Sequence, residues 1–516
     1  MKQEKSDNTH SILKNTSIVF LFSVAAKVLS LIRESTIAAY TGVTEQADAY
    51  YMVQSIYAVF ELGLSTAVYQ SFFPLYKQLS QDPALMTRKE RFANTAITAL
   101  GVTAITFSAV AILGRTYIVK ILAPGFSDYT KSLSSTLLSF SAPMLVFIIL
   151  AECISTILRA HDQFAKSQFR ELATHIAAIT MIVILYPKIG FFALGLSMLA
   201  GAIARLTFQL PALKKTFRYQ PCLDLKNQDI KEMFRRIPAS LITAGTNQLK
   251  GIADKMIASL LPAGSVSALN YGHKLEAALG GLISTAIATS LYPEIVALQT
   301  QGEKQKLRRL IDKSISIFAF FAIPLCIGSL FFRQEIVTVV YGRGAFGQAE
   351  VTKTANVFAA YMLGVFFFGG SSILSNVFYG AGDTQTPMKI NAIDLGLNVV
   401  LNLVFYQTMG AAGLALATSV SGIIAFLLRR KEVCKYIEKT DTSQTREYLK
   451  IMIATMAAGL ISRAVIAYLQ IGTAVARLII AVSMMGMLYI AITRSLKSYN
   501  INFILSIIKQ KFSKKK

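Results

Sequence analysis

The chain has 516 residues, 53% of them hydrophobic and only 16% charged, yet it carries a formal charge of +24. Apolar runs spread over nearly the whole length read as a polytopic, all-α membrane protein and leave no room for a soluble globular domain. Cys153, Cys222, Cys326 and Cys434 show no redox or metal spacing, His10, His161, His175 and His273 form no HExxH, and no Walker or GxSxG pattern occurs, which argues against an enzyme or an ATP-driven pump.

Apolar windows of about 20 residues predict helices near 17–39, 49–76, 92–114, 132–158, 168–187 and 191–213. After a polar connection they resume near 237–261, 266–297, 312–332, 350–380, 387–407, 411–429, 448–470 and 473–493, making fourteen. The domains expected are a six-helix lobe at 1–213, a cytoplasmic connection at 214–236 and a second six-helix lobe at 237–430. Helices 13 and 14 at 431–493 and a basic tail at 494–516 complete the chain. The first apolar run lacks a small-residue cleavage site and is expected to be a retained helix.

That first helix carries Lys27, Arg33 and Glu34 among Phe22, Val24, Val28, Leu29, Leu31 and Ile32. At about 100° per residue, Ser23, Lys27, Ser30, Arg33 and Glu34 share an arc of roughly 120°, so one side faces protein or water and the other lipid. A charge at mid-bilayer costs about 2.5–3.5 kcal/mol even on mild scales, so such residues usually line a pathway; the alternative is a Lys27–Glu34 ion pair that only locks helices together. Basic residues flanking the helices divide 37 to 7 between the two sides, which places both termini of this multi-pass cell-membrane protein in the cytoplasm. The positive charge is therefore a topology signal, not a nucleic-acid footprint. The end of the tail, with Phe503, Ile504, Ile507 and Ile508 among lysines, reads either as a surface-lying segment or as a solvated one.

Two stretches repeat. Ser65–Pro74 matches Ser284–Pro293 at an offset of 219 (284 − 65), and Gly190–Ser197 matches Gly410–Ala417 at 220 (410 − 190). Two similarly oriented six-helix halves follow, with substrate expected at their interface. Pro74 and Pro293 are expected to close helices, and Gly364, Gly369 and Gly370 to supply either a bend or close packing in the tenth.

The chain resembles the MurJ (MviN) lipid II flippase family of the multidrug/oligosaccharidyl-lipid/polysaccharide exporter superfamily. The likeness rests on Leu31-Ile32-Arg33-Glu34, Ala47-Asp48-Ala49-Tyr50, Gln209-Leu210-Pro211 followed by Lys214-Lys215, Gly264-Ser265-Val266-Ser267, Gly342-Arg343-Gly344-Ala345-Phe346 and Gly382-Asp383-Thr384-Gln385-Thr386-Pro387. The resemblance implies an inverted-V transporter that moves an undecaprenyl-pyrophosphate-linked peptidoglycan precursor across the membrane by alternating access. It implies substrate contacts from Lys27, Arg33, Asp48 and Lys274. The charged residues Glu34, Glu61, Glu152 and Arg205 are read separately as candidate cavity or gate residues. Lys27 and Lys274 stand where well-studied members have arginine, which keeps the charge but loses the bidentate fork. Flippases for other polyprenyl-linked glycans, a drug antiporter and a non-transporting scaffold for cell-wall synthesis remain alternatives. Expected partners are the lipid-linked glycan, the bilayer and cell-wall synthesis machinery.

Two polar stripes remain, Thr243, Asn247, Lys250 and Asp254 on the seventh helix and Asn391, Asp394, Asn398 and Asn402 on the eleventh. Asp254, Asn398 and Asn402, with Thr418, form a sodium site by the resemblance, sodium or the membrane potential being the expected driving force. Interhelical hydrogen bonding, with Lys250 neutralising Asp254, is the competing explanation. Glu152 and Arg205 either pair to brace the first lobe or line its cavity.

Overall fold

The structure, a computed structural model, describes residues 2–437 and 443–501, with the side chains of 2–20, 239–247, 443–445 and six scattered positions outside the description. The sequence reading of the tail at 503–508 therefore falls outside the described residues. The described residues form helices joined by turns and loops, with no strand among them, and divide into two compact units, Met1–Ser267 and Ala268–Lys516.

The first unit contains α1 (Lys2–Thr41), α2 (Glu45–Leu79), α3 (Met86–Leu113), α4 (Arg115–Leu122), α5 (Asp128–Ser141), α6 (Met144–Ala160), α7 (Phe164–Ile189), α8 (Phe192–Thr207), the short α9 (Leu210–Leu213) and α10 (Gln228–Ala258). Helix starts are written locally: the hydroxyl oxygens of Thr44 and Ser127 accept from the amides of Ala47 and Thr130, and the side-chain oxygen of Asn227 accepts from Asp229. Phe72, Tyr76, Phe92, Ile157, Leu158 and Met233 form an apolar core between α2, α3, α6 and α10. Because α10 packs along α2, the compact unit extends to Ser267, whereas the repeat in the sequence begins its second half at 237.

The second unit takes most of α11 (Ser265–Thr300), then α12 (Lys304–Phe331), α13 (Arg333–Tyr341), α14 (Gln348–Met362), α15 (Val365–Gly380), α16 (Gln385–Val433), α17 (Ser443–Leu469) and α18 (Ala474–Ser495). Phe318, Ile373, Phe378 and Phe426 centre one core, and α17 and α18 pack on α12 through a second that includes Phe320, Ala454, Met485 and Tyr489. The Tyr489 hydroxyl donates to the Phe320 carbonyl at 2.9 Å, and Arg463 pairs with Glu335 at 2.5 Å. The two added helices are thereby fastened to α12 and α13.

Eight described helices are long and apolar enough to cross a membrane, nine with the bent pair α5–α6. Counting α16 as two segments about its break at Gly410, and adding the more polar α1, α2, α10 and α11, recovers the fourteen predicted spans. The predicted helix at 132–158 turns by 43° at a break that includes Pro143, which lacks the amide a continuous helix needs. The predicted helix at 350–380 breaks at Leu363–Gly364, while Gly369 and Gly370 serve packing, since a Cβ there would meet the rings of Phe318 and Phe426. Pro74 and Pro293 do not close their helices; α2 and α11 run several residues past them.

The repeat extends well beyond the two matched stretches. The starts of α2 and α11 differ by 220 (265 − 45), of α4 and α13 by 218 (333 − 115), of α5 and α14 by 220 (348 − 128) and of α7 and α16 by 221 (385 − 164). Gly190 (φ 58°, ψ −135°) and Gly410 (φ 57°, ψ −138°) adopt the same backbone state, one that L side chains rarely enter. Neither has an atom within 4 Å of where a Cβ would stand. Gly190→Ala and Gly410→Ala should therefore each cost about 1–3 kcal/mol from backbone strain alone. The check is the apparent melting temperature of detergent-purified variants, and the two losses should match.

Asp383 organises the turn into α16. Its Oδ1 accepts from the amides of Thr386 (2.9 Å) and Gln385 (3.0 Å), and its Oδ2 accepts from the Tyr436 hydroxyl at 2.8 Å. Hydrogen bonding, first from Thr386 and then from Tyr436 and Gln385, pulls its carboxyl down to about 2. A depressed carboxyl stabilises the fold above its unfolded value and loses that effect only as pH falls through the folded one. The stability gap between the protein and Asp383→Ala should accordingly stay constant from neutral pH down to about 4, the ordinary aspartate value, in thermal melts across a pH series.

Candidate functional site

The charged face of α1 is built around Glu34, which is 0% exposed. Its Oε1 accepts from Arg33 Nη2 at 2.8 Å and its Oε2 from the hydroxyl of Tyr51 on α2 at 2.7 Å. Arg33 keeps 14% of its side chain exposed, so the pair anchors one end of the guanidinium and leaves part of it outward. Lys27, two turns earlier, is half-buried and forms no ion pair among the described residues. The partner of Glu34 is thus Arg33, not Lys27, and this stretch of α1 carries two cations against one anion. From α10, Lys255 donates to Ser55 and reaches the Tyr51 carbonyl at 3.4 Å, tying α10 to the same turn of α2.

Asp48, in the first turn of α2, is 3% exposed. Its Oδ2 accepts from the Gly264 amide and its Oδ1 from the Ser267 amide, both at 2.7 Å, so it satisfies orphan donors at the start of α11. Gly264 (φ +80°) is pressed on this loop, since a Cβ there would lie 2.4 Å from the Val43 carbonyl oxygen. Two motifs singled out in the sequence, Ala47–Tyr50 and Gly264–Ser267, therefore meet as one latch.

A second group of charges lies inside the first unit. Arg170 Nη1 donates to Glu152 Oε2 at 2.6 Å, and Arg205 donates to Glu171 Oε1 at 2.9 Å and to Glu61. Arg205 approaches Glu152 only at 4.0 Å, so the expected Glu152–Arg205 contact is an outer member of a larger network. Three carboxylates surround two guanidiniums and join α2, α6, α7 and α8. Arg170, near the start of the predicted helix at 168–187, is buried on α7. Arg170 and Glu171 are thus network members that the sequence reading did not single out. An adjacent charge pair just inside a helix was the available signal.

In the second unit, Lys274 is half-buried on α11. Asn398 and Asn402 are fully buried, and their amides donate to Thr418 Oγ1 (3.1 Å) and to Asn398 Oδ1 (3.2 Å). A sodium ion there would compete with these bonds for two of its oxygens. Asp254 is buried on α10 in the other unit, and the side chains of Thr243 and Asn247 fall outside the described residues. Asn391 instead accepts from buried Arg429.

A family model described as "Lipid II flippase MurJ" matches residues 37–479. The chain belongs to the MurJ family. It is 25% identical over 421 residues to a probable lipid II flippase MurJ of Rickettsia prowazekii, covering 80% of this chain and 82% of that one. It is 26% identical over 417 residues to the lipid II flippase MurJ of Burkholderia cenocepacia, covering 79% and 81%. Among solved structures, the lipid II flippase MurJ in an inward closed conformation superimposes with a TM-score of 0.76 at 23% identity, over 92% of this chain and 99% of that one. An inward-facing MATE family multidrug transporter of the MOP superfamily gives 0.64 at 12% identity over 80% and 98%. The fold is that of this superfamily, and Lys27 and Arg33 precede the part that the MurJ family model covers.

Removing one partner of a buried pair costs about 3–5 kcal/mol, because the other charge is left uncompensated. Arg170→Leu should lower the apparent stability by that order. Adding Glu152→Leu should restore part of the loss, as a double-mutant cycle on thermal unfolding would read.

Proposed function

We infer that this chain is a lipid II flippase of the cell membrane, acting in peptidoglycan synthesis. The observation that carries the reading is the match to the MurJ family across residues 37–479, with curated relatives named as lipid II flippases over about four-fifths of their length. The substrate moved would be the undecaprenyl-pyrophosphate-linked precursor, carried from the cytoplasmic to the outer leaflet by alternating access, with both termini cytoplasmic and no covalent chemistry. A pyrophosphate entering a low-dielectric space needs cations in place of its water. Lys27 and the outward part of Arg33 suit that role on α1, and the half-buried Lys274 is a further candidate on α11. The Asp48 latch would hold the first-unit loops together in one state of the cycle and release them in another. Helices α17 and α18, apolar and fastened to α12, offer a surface for the polyprenyl tail. The driving force would be an ion gradient or the membrane potential. Sodium is one candidate, with Asn398, Asn402 and Thr418 of the second unit as neutral oxygen ligands.

The test is translocation of lipid II by purified protein in proteoliposomes, alongside rescue of cells depleted of their own flippase. Arg33→Ala should abolish translocation, Arg33→Lys should retain part of it, and Lys274→Ala should slow it, all at unchanged protein level. Normal rates for Arg33→Ala and Lys274→Ala together would remove the cationic mechanism.

A further inference from the structure

Glu276, on α11 in the second unit, belongs neither to the ion-pair network nor to the proposed substrate contacts. It is only 9% exposed, and among the described residues its carboxylate has no ion pair and no hydrogen bond. Gly272 and Gly280 stand four residues before and after it, which puts all three on one face of the helix. That face is pressed on its neighbours. A Cβ at Gly272 would lie 2.7 Å from Val357 on α14, and one at Gly280 would lie 2.7 Å from Val365 at the start of α15. The same Cβ on Gly280 would stand 3.5 Å from Glu276 Oε1, so the carboxyl leans toward the α15 side of the break at Leu363–Gly364.

The surroundings supply little compensation. On its own helix, His273 sets its ring edge-on to Tyr361 of α14 at 5.5 Å, and Lys274 lies two residues back. From α12 the titratable neighbour is Cys326, on α14 Tyr361 meets His273, and α15 contains no charged residue. The charged residues of α14, Glu350 and Lys353, lie in its first two turns, away from the break. A carboxylate so placed, in a membrane-spanning unit with no counter-charge in contact, favours its neutral acid form.

We propose that Glu276 is a proton-binding site of the transport cycle, protonated while α11 is packed against the α14–α15 break and releasing its proton to water when that packing loosens. The proton is then a coupled ligand. It favours the packed state and opposes the loosened one, and the broken helix is the element whose equilibrium it shifts. This coupling rests on the flippase reading, whereas the proton site itself does not.

Two measurements separate those claims. Infrared spectroscopy of the substrate-free protein in liposomes should show a protonated-carboxyl C=O band at neutral pH that disappears in Glu276→Gln. Lipid II translocation should vary with pH in the unaltered protein, become independent of pH in Glu276→Gln, and keep a displaced pH dependence in Glu276→Asp. A lumenal pH dye should report proton movement with lipid II only where the carboxyl is present. An unchanged infrared band in Glu276→Gln, or a pH profile identical to that of the unaltered protein, would overturn the proposal. Should the unaltered protein move no lipid II while the band is still lost in Glu276→Gln, the flippase reading fails and the proton site stands. Should Glu276→Gln not fold, the band position and pH profile of Glu276→Asp decide, and a profile that does not move counts against the site.

Discussion

An arginine taken out of water holds its surroundings in place, since its charge is tolerable only where carboxylates meet it at hydrogen-bonding distance. Arg205 imposes that condition on the first unit. By reaching Glu61 on α2 and Glu171 on α7, with Glu152 of α6 held in turn by Arg170, it draws four helices to a common point. The same rule shapes α1, where buried Glu34 is tolerated through Arg33 and the Tyr51 hydroxyl, and the α2–α11 junction, where Asp48 is tolerated through two backbone amides. Ion pairs and helix-end amides thus do in the apolar interior what water does outside.

The superfamily fold serves drug exporters as well as lipid flippases, and a MATE transporter superimposes on this chain at 12% identity. Function therefore resides in what the shared helices carry. Cations outnumber anions on the polar stretch of α1, which favours an anionic passenger over a cationic one. The first unit's buried network, by contrast, sets three carboxylates around two guanidiniums and braces the helices that display α1.

Fold and repeat were largely readable because bilayer thickness dictates helix length and the positive-inside bias dictates direction. The breaks were not, because an apolar window averages over them: residues 132–158 and 350–380 look continuous, yet both divide, at equivalent places in the two halves. Arg33 and Glu34 were legible as a charged patch in an apolar helix. Their pairing with each other was not, since neighbours in sequence point about 100° apart and the Tyr51 hydroxyl, on another helix, also holds Glu34. Glu276 was not legible as a site, because one carboxylate by itself makes no pattern in a long helix.

The twin turns at Gly190 and Gly410 also bear on chirality. Their torsions, near φ +58° and ψ −137°, are the mirror image of the extended polyproline region that ordinary residues favour. At these two points the usual stereochemical preference of the chain is inverted: a D-alanine would rest where an L-alanine is strained. Glycine, having no hand, is the only encoded residue that meets this demand without strain, and the chain makes it twice, 220 residues apart (410 − 190).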